Sequence, residues 1–359
     1  PMSTDSQVFD SRLDIASLRI LRLAFGTAAS LWFSQAIGWP MSFIAPVMTM
    51  FMLALPLPAP KLKAGILFVL ALVLSLLAGT LLLPRILNQP MVGLLLLVLA
   101  LYWSFYFTAK GGSAVIGTFL TLGIAMATAV GTVSVDALLA VIQGVAAGAV
   151  AGIAFVWVAH AALPDSLALG GPAPTPPKPA TSAPELFAAR WNAFRSLVIV
   201  LPIALWFLFS AASASYMPVM IKAASMGQQA SNDDTKVAGR SLIMSTIIGG
   251  IGAVVGWQIL RIVPELSVYT LIIGLAGLIA GPRIFRGKGM APDGGTWSYA
   301  YLTMLVILAP AVMDGVGGDA AAAKFLDRII MFALTTVYAV AAVYVFDAFR
   351  PRRRPAPDN

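Results

Sequence analysis

The chain of 359 residues is 59% hydrophobic and only 11% charged, against about 25% charged in soluble domains, so it is predicted to be a polytopic membrane protein. It contains no cysteine, which excludes disulfides, thiolate metal sites and cysteine nucleophiles. The net charge of +8 is dispersed through short loops, which excludes a nucleic-acid-binding face and reads instead as a topology signal.

Residues 1–18 form a polar leader in which SRLDIASLRI can start a short amphipathic helix on a membrane surface, and no cleavable secretory signal is visible in it. Apolar runs at 21–39, 64–83, 91–109, 112–130 and 137–159 approach or reach the roughly 17–25 residues that cross hydrocarbon as a helix, with a shorter segment at 41–57. Together they make a first six-helix repeat over 19–162. The stretch LPDSLALGGPAPTPPKPATSAP cannot continue a helix and begins a Pro-rich linker over 163–189. Runs at 194–212, 241–260, 266–280, 299–313 and 325–348, with a shorter segment at 214–230, make a second repeat over 190–349, followed by a basic tail at 350–359. Continuous rather than alternating apolarity excludes a strand barrel. The predicted fold is all-α, about twelve transmembrane or membrane-embedded helices arranged as two parallel six-helix repeats.

The cations orient this scheme. With the N-terminus cytoplasmic, the segments carrying Arg12, Arg19, Arg22, Lys61, Lys63, Lys110, Lys178, Arg190, Arg195, Lys236, Arg240, Arg283, Arg286, Lys288, Arg350, Arg352, Arg353 and Arg354 all face inside, and only Arg85, Arg261, Lys324 and Arg328 face out. Both termini are therefore expected in the cytoplasm.

The two halves read as copies. Arg22 and Pro46 in the first answer Arg195 and Pro218 in the second at nearly equal spacing, and both prolines open the tripeptide Pro-Val-Met. Lys63-Ala64-Gly65 answers Val237-Ala238-Gly239 at the start of each third helix. Repeats of this kind share a site between them. From Ala214 to Lys236 the second copy departs from the first. Lys222, Ser225, Gln229, Asn232 and Asp233 fall on one helical stripe, beside Met217, Met220 and Met226. A lysine at the bilayer centre costs about 2.5–3.5 kcal/mol on the lenient insertion scale and marks a functional site; its structural alternative is snorkelling or pairing with an acid. Counted from the prolines, Lys222 corresponds to Met50, Ser225 to Leu53 and Gln229 to Leu57. One half would supply a cationic wall with Lys222, Ser225, Met226, Gln229 and Tyr216, and the other an apolar wall with Met48 and Met50. Asn232, Asp233 and Asp234 would stand at the cytoplasmic mouth.

Gln35 lies among aromatics on the first helix, either as a ligand contact or as an interhelical hydrogen bond. Tyr106 and Lys110 end an aromatic cluster that is either an interfacial belt or a vestibule for a planar acid. His160 suits a helix C-terminus, and Asp347 is expected to pair with local arginines. Glycine spacings at Gly144, Gly148 and Gly152, Gly252 and Gly256, and Gly277 and Gly281 fit close helix packing and leave surface for a homo-oligomer. No cofactor is expected, because neither a phosphate-binding loop nor a dinucleotide fingerprint is present, and no convergent His, Asp or Glu set supports an enzyme or a metal site.

The paired Pro-Val-Met segments FIAPVMTMFM and SYMPVMIKAA and the basic turn into KLKAGILFVLALVLSLLAG resemble the fusaric acid resistance and aromatic acid exporter (FUSC-like) superfamily, which is distantly similar to plant aluminium-activated malate channels. Larger relatives carry a sizeable cytoplasmic region, so this would be a compact member. The resemblance implies a bacterial inner-membrane permease that exports aromatic or other organic acids, with a periplasmic membrane-fusion adaptor and an outer-membrane channel as partners. The competing expectations are a passive organic-anion channel and a non-transporting membrane assembly subunit.

Overall fold

A computed structural model describes residues 14–39, 41–167, 183–209, 217–229, 235–313, 315 and 319–348. Twelve helices account for nearly all of them. The first six are α1 (Ile15–Ile37), α2 (Ile44–Leu53), α3 (Leu62–Asn88), α4 (Pro90–Ala109), α5 (Ala114–Gly131) and α6 (Val135–Ala162). The second six are α7 (Ala183–Phe209), α8 (Met217–Gln229), α9 (Thr235–Ile262), α10 (Leu266–Ile284), α11 (Gly294–Met313) and α12 (Asp319–Ala348). Strands β1 (Phe285–Arg286) and β2 (Gly289–Met290) form a small antiparallel hairpin between α10 and α11. Among the described residues nine helices are long and apolar enough to cross a membrane. The protein is an all-α polytopic membrane protein, as its composition requires.

Local chemistry sets the boundaries. Pro46 and Pro218 occupy the first turns of the short helices α2 and α8, where a missing N–H costs nothing. Gly38 closes α1 in the left-handed conformation, its N–H bonded to the Ser34 carbonyl. Ser134 caps α6 by accepting from the Ala137 N–H. Two boundaries differ from the sequence reading. The last residues of the predicted linker are helical, since α7 begins at Ala183, with Pro184 in its first turn. Of the polar stretch 214–236, the described residues place Met217–Gln229 in the 13-residue α8 and Lys236 in α9.

Packing repeats between the halves. In the first, α1 lies against α2 and α6, and α3 against α5; in the second, α7 lies against α8 and α12, and α9 against α11. Contacts between the halves come in exchanged couples, α1 with α10 and α4 with α7, α2 with α11 and α5 with α8, which is the pattern a pseudo-two-fold produces.

Burial then separates an inner from an outer set. Val219–Gly227 of α8, Thr121–Gly131 of α5 and Ala300–Ala311 of α11 are buried throughout, and so is all of α2 except Met52. By contrast α3, α4, α6, α9, α10 and α12 turn Leu81, Leu95, Val150, Ile251, Leu271 and Val337 outward. Exposed apolar faces of this extent belong against lipid tails. Four inner helices, two of them short, thus form a core ringed by lipid-facing ones.

Candidate functional site around Lys222

α8 brings Lys222, Ser225 and Met226 to the centre of this core. Lys222 is 1% exposed. Its Nζ donates to Thr303 Oγ1 of α11 at 2.8 Å and to Ser245 Oγ of α9 at 3.4 Å. Each hydroxyl gives its own proton to its helix backbone, Thr303 to the Tyr299 carbonyl at 2.7 Å and Ser245 to the Leu242 carbonyl at 3.2 Å. Both therefore present lone pairs to the lysine. Among the described residues no carboxylate lies within ion-pair distance of Nζ. Lys222 is thus enclosed by the protein rather than snorkelling to its surface, and within the described residues its amine meets two hydroxyls.

The neighbourhood is built from small residues. Gly249 on α9 faces Thr303 and the Ala300 carbonyl so closely that any β-carbon would collide, which sets the separation of α9 from α11. Ser225 Oγ donates to the Lys222 carbonyl at 2.7 Å and is fully buried. Ser196 of α7 donates to the Gly227 carbonyl at 2.7 Å, and Phe105 of α4 packs on Gly227. Tyr106 follows Phe105 on α4, and Lys110 is the residue just past the end of that helix. Tyr106 stacks on Tyr102 with centroids 6.1 Å apart, and Lys110 is exposed.

The two predicted walls do not face each other directly. α2 packs on α6 and α11, and α8 packs on α5 and α7, so the short helices are not one another's main neighbours. Met48 lies against Gly152 of α6, and Met50 is fully buried. Met226 sits with Ile199, Leu242 and Val343 in a small apolar cluster of the second half, a packing position. What joins the halves here is α11: Thr303 holds Lys222, while Tyr299, one turn earlier, meets Phe51 of α2 edge-on at 6.4 Å. Phe51 in turn meets Phe119 of α5 at 5.4 Å. Gln35 stands apart near the end of α1, its Nε2 buried and unpaired among the described residues. The side chain of Gln229, and Tyr216, Asn232, Asp233 and Asp234 altogether, lie outside the described residues.

Sequence reasoning missed Ser245 and Thr303, which look like ordinary hydroxyl residues in apolar helices. It also took Arg22 and Arg195 for loop cations. Both are buried. Arg22 Nη2 pairs with Asp165 at 2.6 Å, and its Nε donates to the Leu163 carbonyl at 2.7 Å. Arg195 pairs with Asp347 at 2.9 Å. Each arginine thus ties the first helix of its half to the end of the sixth. Asp347 pairs with an arginine distant in sequence, and the matched Arg22–Pro46 and Arg195–Pro218 spacings were the signal that could have found it. His160 contacts the Val156 carbonyl at 2.9 Å in the last turn of α6.

A family described as "Protein of unknown function (DUF2955)" matches residues 19–159, from the first turns of α1 to the last turn of α6. Searches of curated proteins and of solved structures found no match.

Proposed function

We propose that the protein is a secondary transporter that exports small organic anions, aromatic acids foremost, with Lys222 as the group that meets the substrate carboxylate. The burial of Lys222 against the hydroxyls of Thr303 and Ser245 carries this reading. A lysine ammonium has three donors. Two meet Thr303 and Ser245, and a carboxylate oxygen is the acceptor that suits the third. The aromatic run Tyr299, Phe51 and Phe119 beside α11 offers apolar surface for a ring. The resemblance of the Pro-Val-Met segments to the FUSC-like superfamily supplies the direction of transport.

On this reading the protein lies in a bacterial inner membrane with both termini cytoplasmic, has no enzymatic activity or cofactor, and works with a periplasmic adaptor and an outer-membrane channel. Substrate passes through the inner helices, and the exchanged contacts between the halves supply the surfaces that rock. The test is export of a panel of aromatic carboxylic acids by cells carrying wild type or Lys222→Met. A charge-assisted hydrogen bond is worth about 1.5–3 kcal/mol, so the variant should lose about 10- to 100-fold in apparent affinity or rate at equal membrane abundance. Unchanged export would end the role given to Lys222. Sustained unitary currents in reconstituted bilayers would instead mark a passive channel, and neither export nor current would mark an assembly subunit.

A further inference from the structure

The second half opens where the first is closed. α3 and α4 pack closely, with Gly93 of α4 seated on the Ile86 backbone, whereas α9 and α10 touch sparsely and leave a groove of about 340 Å³. Its walls are apolar: Gly252 and Val255 from α9, Leu275 and Ile279 from α10, Trp297 and Met304 from α11. Val255, Leu275 and Ile279 are largely exposed, so the groove opens sideways towards lipid. Along α9 it runs from Ile248 to Ile259, which at 1.5 Å per residue is roughly 16 Å, about half of a ~30 Å hydrocarbon layer and hence the depth of one leaflet.

One end of the groove is cationic. Arg283 is the next turn of the α10 wall after Ile279, and its guanidinium lies 5.4 Å from the Trp297 ring centre. Arg240 stands on α9 about three turns before Ile251 and on the same helical face as that residue of the wall. Arg286 and Lys288 follow on the β1–β2 hairpin, which is held in place because Arg19 donates to the Lys288 carbonyl at 2.8 Å. Arg240, Arg283, Arg286 and Lys288 are all exposed, and among the described residues Asp293, between β2 and α11, is the exposed acid beside them. A tryptophan at the junction of apolar wall and basic rim is the arrangement of a membrane interface.

We propose that this groove binds an anionic glycerophospholipid of the surrounding bilayer, one acyl chain lying along α9 and α10 and the phosphate at Arg283 and Arg240. The depth of the groove fits one leaflet's chain, its side opening admits a lipid without passage through water, and its rim complements a negative headgroup.

The full-length protein in mild detergent, titrated with phosphatidylglycerol or phosphatidylcholine of equal chain length and followed by native mass spectrometry, provides the test. One phosphatidylglycerol should be retained in preference to phosphatidylcholine. Arg283→Gln and Arg240→Gln should each weaken it about fivefold. Ala276→Phe, which fills the groove, should abolish it, and Ala333→Phe, on α12 in the neighbouring groove between α9 and α12, should leave it unchanged. Phosphatidylglycerol with brominated chains should also quench the part of the emission that Trp297→Phe removes. Equal retention of the two lipids, retention that survives Ala276→Phe, or no quenching of Trp297 would overturn the proposal. So would a dimer that Ala276→Phe dissolves, which would assign this face to a second copy of the chain.

Discussion

Lys222 is held unequally by its two partners, and that inequality is measurable. Thr303 accepts at 2.8 Å and Ser245 at 3.4 Å, the second near the limit of a hydrogen bond. Thr303→Val keeps the shape but removes the closer acceptor, and should cost about 1–3 kcal/mol of stability in detergent by leaving the lysine under-satisfied. Ser245→Ala should cost less than half as much. Equal losses, read from thermal unfolding of the purified variants, would show that the lysine redistributes between them. Lys222 itself is legible in the sequence because a cation inside an apolar helix is conspicuous against 11% charged residues. Its partners are not legible: a hydroxyl satisfied by its own helix leaves no trace in composition, and only the meeting of α8, α9 and α11 turns two such hydroxyls towards one amine.

At the scale of elements, the helices could be read from hydrophobic runs, while the arginines that fasten them could not. A run of apolar residues states that a helix crosses, yet it is silent on whether an arginine near its start faces water or a neighbouring helix. Arg195 is completely buried and its partner Asp347 nearly so, whereas Asp165 beside Arg22 is 39% exposed. Removing one partner of a buried pair strands the other charge, at about 3–5 kcal/mol, while an ion pair open to water is worth about 0–1 kcal/mol. Asp347→Ala should therefore lower folded yield and detergent stability sharply, and Asp165→Ala less, because the buried Arg22 keeps its bond to the Leu163 carbonyl. The opposite order would mean that α7 is fastened to α12 by packing alone. The short helices tell the same story: α2 and α8 were visible as a matched pair from their prolines, but pairing in sequence did not place them against each other, because each packs beneath the fifth helix of the opposite half.

For the whole molecule, the exchanged contacts define two long seams, α1 on α10 and α4 on α7, along which the halves must move if the inner helices are to open alternately to each side. The first seam can be locked. A β-carbon at Gly274 of α10 would stand 3.5 Å from that of Ala28 on α1, within the 3.5–4.5 Å typical of a disulfide. The chain contains no cysteine, so Ala28→Cys with Gly274→Cys introduces the only possible bridge. Transport should proceed in reductant, stop on oxidation in proportion to the cross-linked fraction, and recover when the bridge is reduced. A channel whose pore lies within the fixed inner helices should conduct with the seam bridged, and a scaffold should keep its partners. Full transport through a fully cross-linked protein would relocate the moving parts to the inner helices themselves, leaving α11, which touches both short helices, as the element that carries motion between the halves.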